Sequence, residues 1–355
     1  MTRTLQIILY PISLFYGLAM QIRNILFNFH ILPSIKFNKP VISVGNLTYG
    51  GTGKTPHIEY LIRLLHPPLF LATLSRGYGR KSNGFILASK RSNVKYIGDE
   101  PMQFLKKFEG IKVAVDESRR RGIESLLQKH PDLDVILLDD AFQHRYVKPG
   151  LSILLTDYHK LYAEDYVLPS GTLREFRHGA SRADIIIVTK TPKIFSPITR
   201  RRILEDLRPT PHQRVYFSFI KYGDPVGGFE GTGLEFPRKV TNILLFTGIA
   251  NDYPLSEHLS RLCSELVVMK FADHHPYSIH DIEEITLKYN NLPTQKKIII
   301  TTEKDMMRLK TPVLSTKLKN LPLFFLPMEV DFHGTDKENF DNEIRKYVKK
   351  NQRNN

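Results

Sequence analysis

Short, continuous apolar runs recur along residues 35–221 and are separated in several places by amphipathic segments. The segments 57–65 and 119–129 show the helical period. Runs without polar alternation are typical of strands covered on both faces, and their alternation with helices is typical of parallel βαβ units. The pattern predicts a doubly wound α/β domain with a mostly parallel sheet. The predicted strands are 41–44, 69–74, 112–115, 135–138, 152–156, 185–189 and 215–220.

A glycine-rich stretch interrupts this pattern at residues 222–236. It begins with YGDPVGGFEGTGLE and predicts a linker or hairpin. Beyond it, apolar runs predict a second, smaller α/β unit over residues 237–355. The predicted strands of this unit are 242–247, 265–271, 297–301 and 323–326.

The first 34 residues carry a different pattern. Leu5–Met20 reads LQIILYPISLFYGLAM, an uncharged run of 16 residues with Arg3 and Arg23 near its ends. The run is short for a bilayer span of about 20 residues, and it lacks the small-residue cleavage site of a signal peptide. A buried core helix is one alternative. We favour a membrane-associating helix over residues 1–34, either peripheral or a single anchor, because a complete sheet begins directly after it.

The charge balance indicates the kind of partner. The chain has 355 residues, with 51 Lys and Arg against 36 Asp and Glu, a net charge of +15. Such a charge favours nucleic acid, an anionic lipid surface or a phosphorylated substrate, and composition does not choose among them. The single cysteine, Cys263, excludes an intrachain disulfide and fits a reducing compartment.

A phosphate-binding loop lies between the first predicted strand and the first helix of the sheet domain. The segment VGNLTYGGTGKTP spans residues 44–56. Its glycines let backbone N–H groups turn toward a phosphate, while Lys54 supplies a charge and the Thr55 hydroxyl can ligate Mg²⁺. A strict P-loop has glycine where Thr48 stands. The predicted nucleotide contacts are Thr48, Tyr49, Gly50, Gly51, Thr52, Gly53, Lys54 and Thr55.

Two consecutive carboxylates supply the second part of such a site. Asp139 and Asp140 follow the predicted strand 135–138, at the edge where open α/β sheets bind ligands. One can hold Mg²⁺, as the Walker B aspartate does, and the other can be structural. Pro192 stands where a guanine-reading N-K-x-D motif has aspartate, so ATP is expected. The fold class is therefore P-loop NTPase-like.

Seven motifs together resemble the tetraacyldisaccharide 4′-kinase family. The resemblance covers essentially the whole chain, and the motifs keep the family's order. The family usually has glycine where Ala141 stands, which leaves the adjacent carboxylates in place. The motifs are VGNLTYGGTGKTP (44–56), LSRGYGR (74–80), GDEPM (98–102), LDDAFQHR (138–145), SGTLRE (170–175), FADHHPY (271–277) and TTEKDMMRL (301–309).

The resemblance implies an ATP- and Mg²⁺-dependent lipid kinase of lipid A biosynthesis. It would act on the 4′-hydroxyl of a tetraacylated glucosamine disaccharide 1-phosphate, at the cytoplasmic face of the bacterial inner membrane. It implies that Lys54 holds phosphate, that Thr55, Asp139 and Asp140 hold magnesium, and that Asp99 takes the proton from the acceptor hydroxyl. A histidine of FADHHPY would orient Asp99, and we favour His274 over His275.

Structural alternatives exist for both members of that pair. Asp99 precedes a predicted helix and can be its N-cap, and Ser278 with Asp281 forms a capping-box pattern that places His274 in the loop ahead of a helix. Further candidates for contacts with substrate are weaker, because basic helix starts are usually solvated. They are Arg76, Tyr78, Arg80, Arg119, Arg174, Glu175 and His275.

Three classes of function remain as hypotheses. A lipid-sugar kinase requires an acylated acceptor for turnover. A P-loop ATPase switch of the partitioning kind would hydrolyse ATP without one, but it typically has lysine where Tyr49 stands. Nucleic-acid binding has only the charge in its favour, since no interleaved aromatic and basic motif accompanies it. We therefore expect no nucleic-acid partner, and the oligomeric state is left open.

Overall fold

The computed structural model describes residues 3–229, 233–249 and 251–352. The chain divides into two compact units, one formed by residues up to 220 together with those from 330 onward, and one formed by residues 221–329. The first contains the phosphate-binding loop, and the second contains the FADHHPY motif.

A nine-stranded sheet forms the first unit, in the order β14-β8-β7-β6-β1-β5-β2-β4-β3. Strands β1, β2, β4, β5, β6, β7 and β8 pair in parallel, whereas β3 pairs antiparallel with β4. The predicted doubly wound parallel sheet is confirmed. The strands are β1 (Val41–Asn46), β2 (Leu71–Ser75), β3 (Ile86–Leu87), β4 (Lys112–Val115), β5 (Val135–Asp139), β6 (Leu151–Asp157), β7 (Ile185–Thr189), β8 (Arg214–Tyr222) and β14 (Met328–Phe332).

Helices cover both faces of this sheet. Ile58 of α2 belongs to one buried cluster and Ile123 of α5 to another, so the sheet contributes to two separate cores. The helices are α1 (Arg3–Asn28), α2 (Lys54–Leu65), α3 (Val94–Ile97), α4 (Asp99–Lys107), α5 (Arg119–Lys129), α6 (Pro197–Leu207) and α11 (Asp336–Gln352), with 3₁₀ turns at Tyr162–Glu164 and Arg177–Arg182.

The second unit is built on a five-stranded sheet in the order β11-β10-β12-β13-β9. All its pairs are parallel except β13 with β9. Its elements are β9 (Val226–Gly227), β10 (Asn242–Thr247), α7 (Tyr253–Leu259), β11 (Glu265–Lys270), α8 (Ile279–Asn290), β12 (Lys297–Thr302), α9 (Glu303–Leu309), α10 (Pro312–Leu318) and β13 (Leu323–Leu326).

The structure differs from the predicted domain boundaries at the end of the chain. The second unit was predicted to extend over residues 237–355, but residues 330–352 are part of the first unit. The physical reason is an apolar stripe on α11, where Phe340, Ile344 and Val348 pack into the same core as Ile58. Within the predicted linker 222–236, β9 joins the second sheet, and residues 230–232 lie outside the described part of the chain.

Helix α1 is long and apolar enough to cross a membrane, judged by its length and composition alone. Most of its apolar residues are exposed, which is opposite to a buried core helix. Its polar residues bind the rest of the first unit. The Ser13 hydroxyl lies 2.7 Å from that of Ser170, and the Asn24 amide donates to Glu175 over 2.7 Å.

Candidate functional site

The phosphate-binding loop joins the end of β1 to the start of α2. Gly50 and Gly53 have φ angles of 130° and 86°, in the left-handed region that favours glycine. A Cβ built on Gly51 would meet no atom within 4 Å. The loop therefore leaves its glycine side open at the N-terminus of a helix, which is the geometry for binding an anion.

Asn46, at the end of β1, organises this loop from within. Its amide nitrogen lies 3.0 Å from the Thr52 hydroxyl and 3.4 Å from the carbonyl oxygen of Gly50. Its amide oxygen accepts from the ammonium of Lys54 over 3.4 Å. One buried side chain thus sets both the loop and the lysine. At the start of the loop, Tyr49 N donates to the carbonyl of Thr172 over 2.6 Å.

Lys54 also faces the carboxyl end of β5. Its ammonium lies 3.7 Å from Oδ1 of Asp140. Strands β1 and β5 pair in parallel with Val44 opposite Asp139, so both segments end at the same edge of the sheet. The structure brings the predicted phosphate-binding and carboxylate motifs together.

The two carboxyl groups differ in electrostatics. Burial, with the neighbouring charges of Asp140 and Glu100, raises the pKa of Asp139 to about 7. Burial alone would raise the pKa of Asp140 too, but the charges of Lys54 and Arg174 hold it below its usual value. At neutral pH Asp140 is ionised, whereas burial favours the protonated form of Asp139.

Arg174 lies beside Asp140, not at an open surface. Its guanidinium donates to Oδ1 and Oδ2 of Asp140 over 3.1 and 3.3 Å, in a two-bond arrangement. Glu175 is buried and accepts from both terminal nitrogens of Arg182 over 2.9 and 2.8 Å. Both residues were predicted to contact substrate, and the structure instead gives each of them an internal partner.

Arg119 also differs from its predicted exposure. The side chain is buried, and it donates to the carbonyl of Asp116 over 2.9 Å and to that of Asp139 over 3.0 Å. Burial lowers the pKa of its guanidinium to about 10. In this position Arg119 supports the backbone that carries the two carboxylates. It does not face the solvent, where a phosphate would arrive.

Asp99 is buried in the first turn of α4. The glycine before it, Gly98, has a φ of 91°, and a Cβ there would meet the carbonyl of Tyr78 at 3.0 Å. The GDEP and LSRGYGR motifs are therefore packed against each other. Glu100 is electrostatically close to Asp139, since its charge raises that pKa. Four motifs thus meet along one edge of the sheet.

The arginines of LSRGYGR have separate environments. Arg76 is exposed, and its positive charge lowers the pKa of buried Arg119, so it is available to an anion beside the carboxylates. Arg80 donates to Glu117 over 2.6 Å and is almost fully buried, which gives it a structural contact. Tyr78 is exposed between them.

The two histidines of FADHHPY lie in the second unit. His274 has a φ of 60°, and its ring nitrogens lie 3.0 Å from the ammonium of Lys304 and 3.2 Å from the guanidinium of Arg308. His275 stacks on Phe271 and lies 3.1 Å from a carboxylate oxygen of Asp281, the third helical residue in the capping box of α8. The capping box predicted for Ser278 and Asp281 is present.

The chemistry of the carboxylate edge fits a divalent cation. Oδ1 of Asp139 is buried and accepts no hydrogen bond from any residue that the structure describes. Within those same ranges, no three His, Cys, Asp or Glu side chains converge as a metal cage. Mg²⁺ in kinases takes one or two carboxylates together with substrate phosphates, so Asp139 and Asp140 near the loop suffice.

Sequence reasoning missed Asn46, Glu100 and Gln143. The amide of Gln143 donates to the carbonyl of Asn46 over 2.9 Å, and its carbonyl oxygen accepts from Arg174 over 3.3 Å. The available signal was position, because each residue lies within or directly beside a motif that was already recognised. A polar residue at the end of a buried strand, such as Asn46, indicates a side chain directed at the site.

The whole chain is similar to proteins of one family. The family model for tetraacyldisaccharide-1-P 4′-kinase matches residues 5–349. The tetraacyldisaccharide 4′-kinase of Bacteroides thetaiotaomicron is 46% identical, over 98% of this chain and 94% of that protein. That of Phocaeicola vulgatus is 47% identical, over 98% and 96%.

One solved structure has a similar fold. It is LpxK from Aquifex aeolicus in complex with ATP, which superposes with a TM-score of 0.72 at 28% identity. The similarity covers 97% of this chain and 99% of that chain.

Proposed function

The chain belongs to the tetraacyldisaccharide-1-P 4′-kinase family, and we propose that its phosphate-binding loop and the Asp139-Asp140 edge carry that kinase reaction. The chain is an ATP-dependent kinase that transfers the γ-phosphoryl group to the 4′-hydroxyl of a tetraacyldisaccharide 1-phosphate in lipid A biosynthesis. The observation that supports the placement is the distance of 3.7 Å between the Lys54 ammonium and Asp140, which joins the loop to the carboxylates.

The loop residues bind and orient the nucleotide. Backbone N–H groups of Gly50, Gly51 and Gly53 bind the phosphates, and the ammonium of Lys54 balances their charge. Thr55, Asp139 and Asp140 would hold Mg²⁺, which neutralises phosphate charge when it is bound. Arg174 keeps Asp140 ionised and in place through its two hydrogen bonds.

Asp99 accepts the proton of the acceptor hydroxyl. A sugar hydroxyl must lose its proton as the phosphoryl group arrives, and a positioned carboxylate contributes about 100-fold to 10,000-fold to such a step. Burial of Asp99 beside the LSRGYGR motif supports this role, because a charge held away from bulk water is more effective. Exposed Arg76 is suited to the anionic group of the lipid.

The exposed apolar surface of α1 supports a membrane location. A substrate with four acyl chains resides in a bilayer, and a helix with apolar residues on its solvent side gains free energy by entering the same layer. The net charge of +15 adds attraction to anionic lipid. We place the enzyme on the cytoplasmic face of the inner membrane, where ATP is present.

The decisive assay uses purified protein, γ-labelled ATP and tetraacyldisaccharide 1-phosphate in detergent micelles. We expect label on the distal glucosamine. We also expect Asp99→Asn to lower turnover by roughly 100-fold or more while ATP still binds. Asp132→Asn is a matched control, because Asp132 is exposed in the turn before β5. Near-normal transfer by Asp99→Asn would overturn the assigned base, and hydrolysis of ATP without labelled lipid would support an ATPase switch instead.

A further inference from the structure

Three consecutive carbonyl groups of the phosphate-binding loop are bound from outside the loop. They belong to Gly51, Thr52 and Gly53. A loop that directs its N–H groups at a phosphate must direct its carbonyls away, and those carbonyls then need donors. The donors are Thr189, the last residue of β7, Lys190 directly after it, and His57.

Thr189 and Lys190 reach the loop directly. The Thr189 hydroxyl lies 2.9 Å from the carbonyl oxygen of Thr52, with that of Thr156 at 3.2 Å as a second acceptor. The ammonium of Lys190 donates to the carbonyl of Gly51 over 2.5 Å and to Oδ2 of Asp157 over 2.7 Å.

Lys190 is held in an unusual conformation for these contacts. Its φ is 59°, in the left-handed region that side chains other than those of glycine, asparagine and aspartate rarely adopt. Only 14% of its side chain is exposed. A surface lysine without a role would be solvated and would have no reason to accept such a backbone.

Thr191 reaches the loop through two intermediates. Its N–H and hydroxyl donate to the carbonyl of Ser218 over 3.0 and 2.9 Å. Nδ1 of His57 lies 2.7 Å from the carbonyl of Gly53, so Nδ1 carries the hydrogen and Nε2 accepts from the Ser218 hydroxyl over 3.1 Å.

We propose that residues 189–191 are a positioning element for the nucleotide, in which Lys190, fixed by Asp157, holds the loop in its phosphate-binding conformation. Given the proposed role of residues 48–55, the element acts before chemistry. It reduces the conformational entropy that the loop must lose when ATP binds. Lys190 is a positioning residue, because its ammonium is bound to a carbonyl and a carboxylate.

The test is an equilibrium titration of each purified full-length variant with labelled ATP and Mg²⁺, followed by kinetics with the lipid acceptor. For Lys190→Met we expect the Kd and KM for ATP to rise about tenfold, equivalent to about 1.4 kcal/mol. The KM for the acceptor and kcat at saturating ATP should stay within twofold of the wild type. Lys193→Met, an exposed lysine three residues later, should leave all four constants unchanged.

Conservative and paired variants show whether Lys190 and Asp157 position the loop as one unit or only stabilise the fold separately. Lys190→Arg should recover most of the affinity, because a guanidinium can also donate to both partners. Asp157→Asn should weaken ATP binding by a smaller factor and should add nothing in the Lys190→Met background. If the two factors multiply in the double variant, the pair does not act as one unit and the proposal fails.

The Lys54→Met variant distinguishes failure of the positioning element from failure of the proposed nucleotide site. If Lys54→Met loses ATP while Lys190→Met binds ATP within twofold of the wild type, only the positioning element is wrong. If Lys54→Met itself still binds ATP normally, residues 48–55 are not the nucleotide site and the proposed function of the loop fails. Should Lys190→Met not fold, Asp157→Asn and Lys190→Arg carry the same comparison.

Discussion

Asp139 and Asp140 are consecutive in the chain, yet the pKa values of their carboxyl groups are shifted in opposite directions. Burial raises the pKa of Asp139 to about 7, whereas Lys54 and Arg174 outweigh burial at Asp140 and hold its pKa low. The difference comes from the neighbouring cations, since the Asp140 carboxylate lies 3.7 Å from the Lys54 ammonium and 3.1 Å from the Arg174 guanidinium. Such paired groups are common where a site must bind charge.

The first prediction is that the ionised form of Asp139 destabilises the ligand-free protein at neutral and alkaline pH. A carboxyl whose pKa is raised by folding contributes stability that is lost as pH rises from about 4 to about 7. Asp139→Asn should therefore melt near the wild type at pH 4 and above it at pH 8, with a difference on the order of 4 kcal/mol at most. Kinase activity should fall by roughly 100-fold. Thermal melts at the two pH values test this.

Asp140→Asn is the matched control, and we expect it to change stability in the opposite direction. It removes the partner of Lys54 and Arg174, so the protein should be less stable than the wild type at pH 8. Equal melting shifts for the two asparagine variants would contradict the assignment of opposite environments.

The second prediction compares two glycines of the same motif. A Cβ on Gly45 would lie 2.7 Å from Cβ and 2.8 Å from N of Phe142, so Gly45→Ala must displace the segment after Asp140. We expect a loss of about 1–3 kcal/mol in the free energy of unfolding. Gly51→Ala meets nothing within 4 Å and should leave stability unchanged.

The affinity for ATP should not follow the stability of the two glycine variants. If the open side of Gly51 receives a phosphate, Gly51→Ala should weaken ATP binding by roughly tenfold or more without changing the melting temperature. Chemical denaturation and ATP titration measure the two effects separately. Normal ATP affinity in Gly51→Ala would place the phosphates elsewhere.

The sheet and its motifs were predictable because their signals are local. Strands such as β4 and β7 are continuous apolar runs, and the predicted bounds 112–115 and 185–189 are those observed. Strands β3 and β9 have two residues each, which is too few for a period to show. No element was predicted over helix α11, and which core receives its apolar stripe depends on contacts across more than 280 residues, such as Tyr60 with Asp341.

The polar partners of the site were not predictable for a related reason. Arg119 looks like an exposed basic helix start, and only the folded structure shows its guanidinium on the carbonyls of Asp139 and Asp140. Glu175 looks like a loop residue open to substrate, but Asn24 of α1 reaches it from 151 positions away. The sequence predicted the phosphate-binding loop and the Asp139-Asp140 pair at the ends of buried strands, whereas packing decides which of the neighbouring polar side chains face inward.

The third prediction concerns the exposed apolar face of α1. Ile7, Ile8 and Phe15 are 68%, 66% and 75% exposed. Each apolar side chain gains about 1.5–3 kcal/mol when it is buried. Replacing all three by serine should lower partitioning into vesicles on the order of 100-fold or more. Cosedimentation with anionic vesicles measures this, and unchanged binding would show that another surface holds the membrane.

A control for α1 comes from the second unit. Leu287 and Val313 are also exposed apolar residues, at 62% and 59%. Their serine variants should bind vesicles as the wild type does, because single exposed apolar residues are normal on any protein surface.

The fourth prediction is that His57 makes the ligand-free protein sensitive to acid. Its ring is buried between the carbonyl of Gly53 and the hydroxyl of Ser218, and burial lowers its pKa to about 4. In the unfolded chain the pKa is near 6.5, so below that pH the unfolded state takes up a proton that the folded state refuses. Stability is therefore complete above pH 6.5 and is lost as pH falls toward 4, by up to about 3 kcal/mol.

His57→Gln keeps a donor for the Gly53 carbonyl but does not titrate. We expect its unfolding free energy to change less than that of the wild type between pH 6.5 and 4, as measured by urea denaturation at each pH. The pKa of His144 is also lowered by burial, to about 3. His144→Gln therefore measures the contribution of this second histidine to the loss of stability in acid. Wild-type pH dependence in His57→Gln would mean that the ring is already protonated in the fold, and the donor assigned to Gly53 would have to change with it.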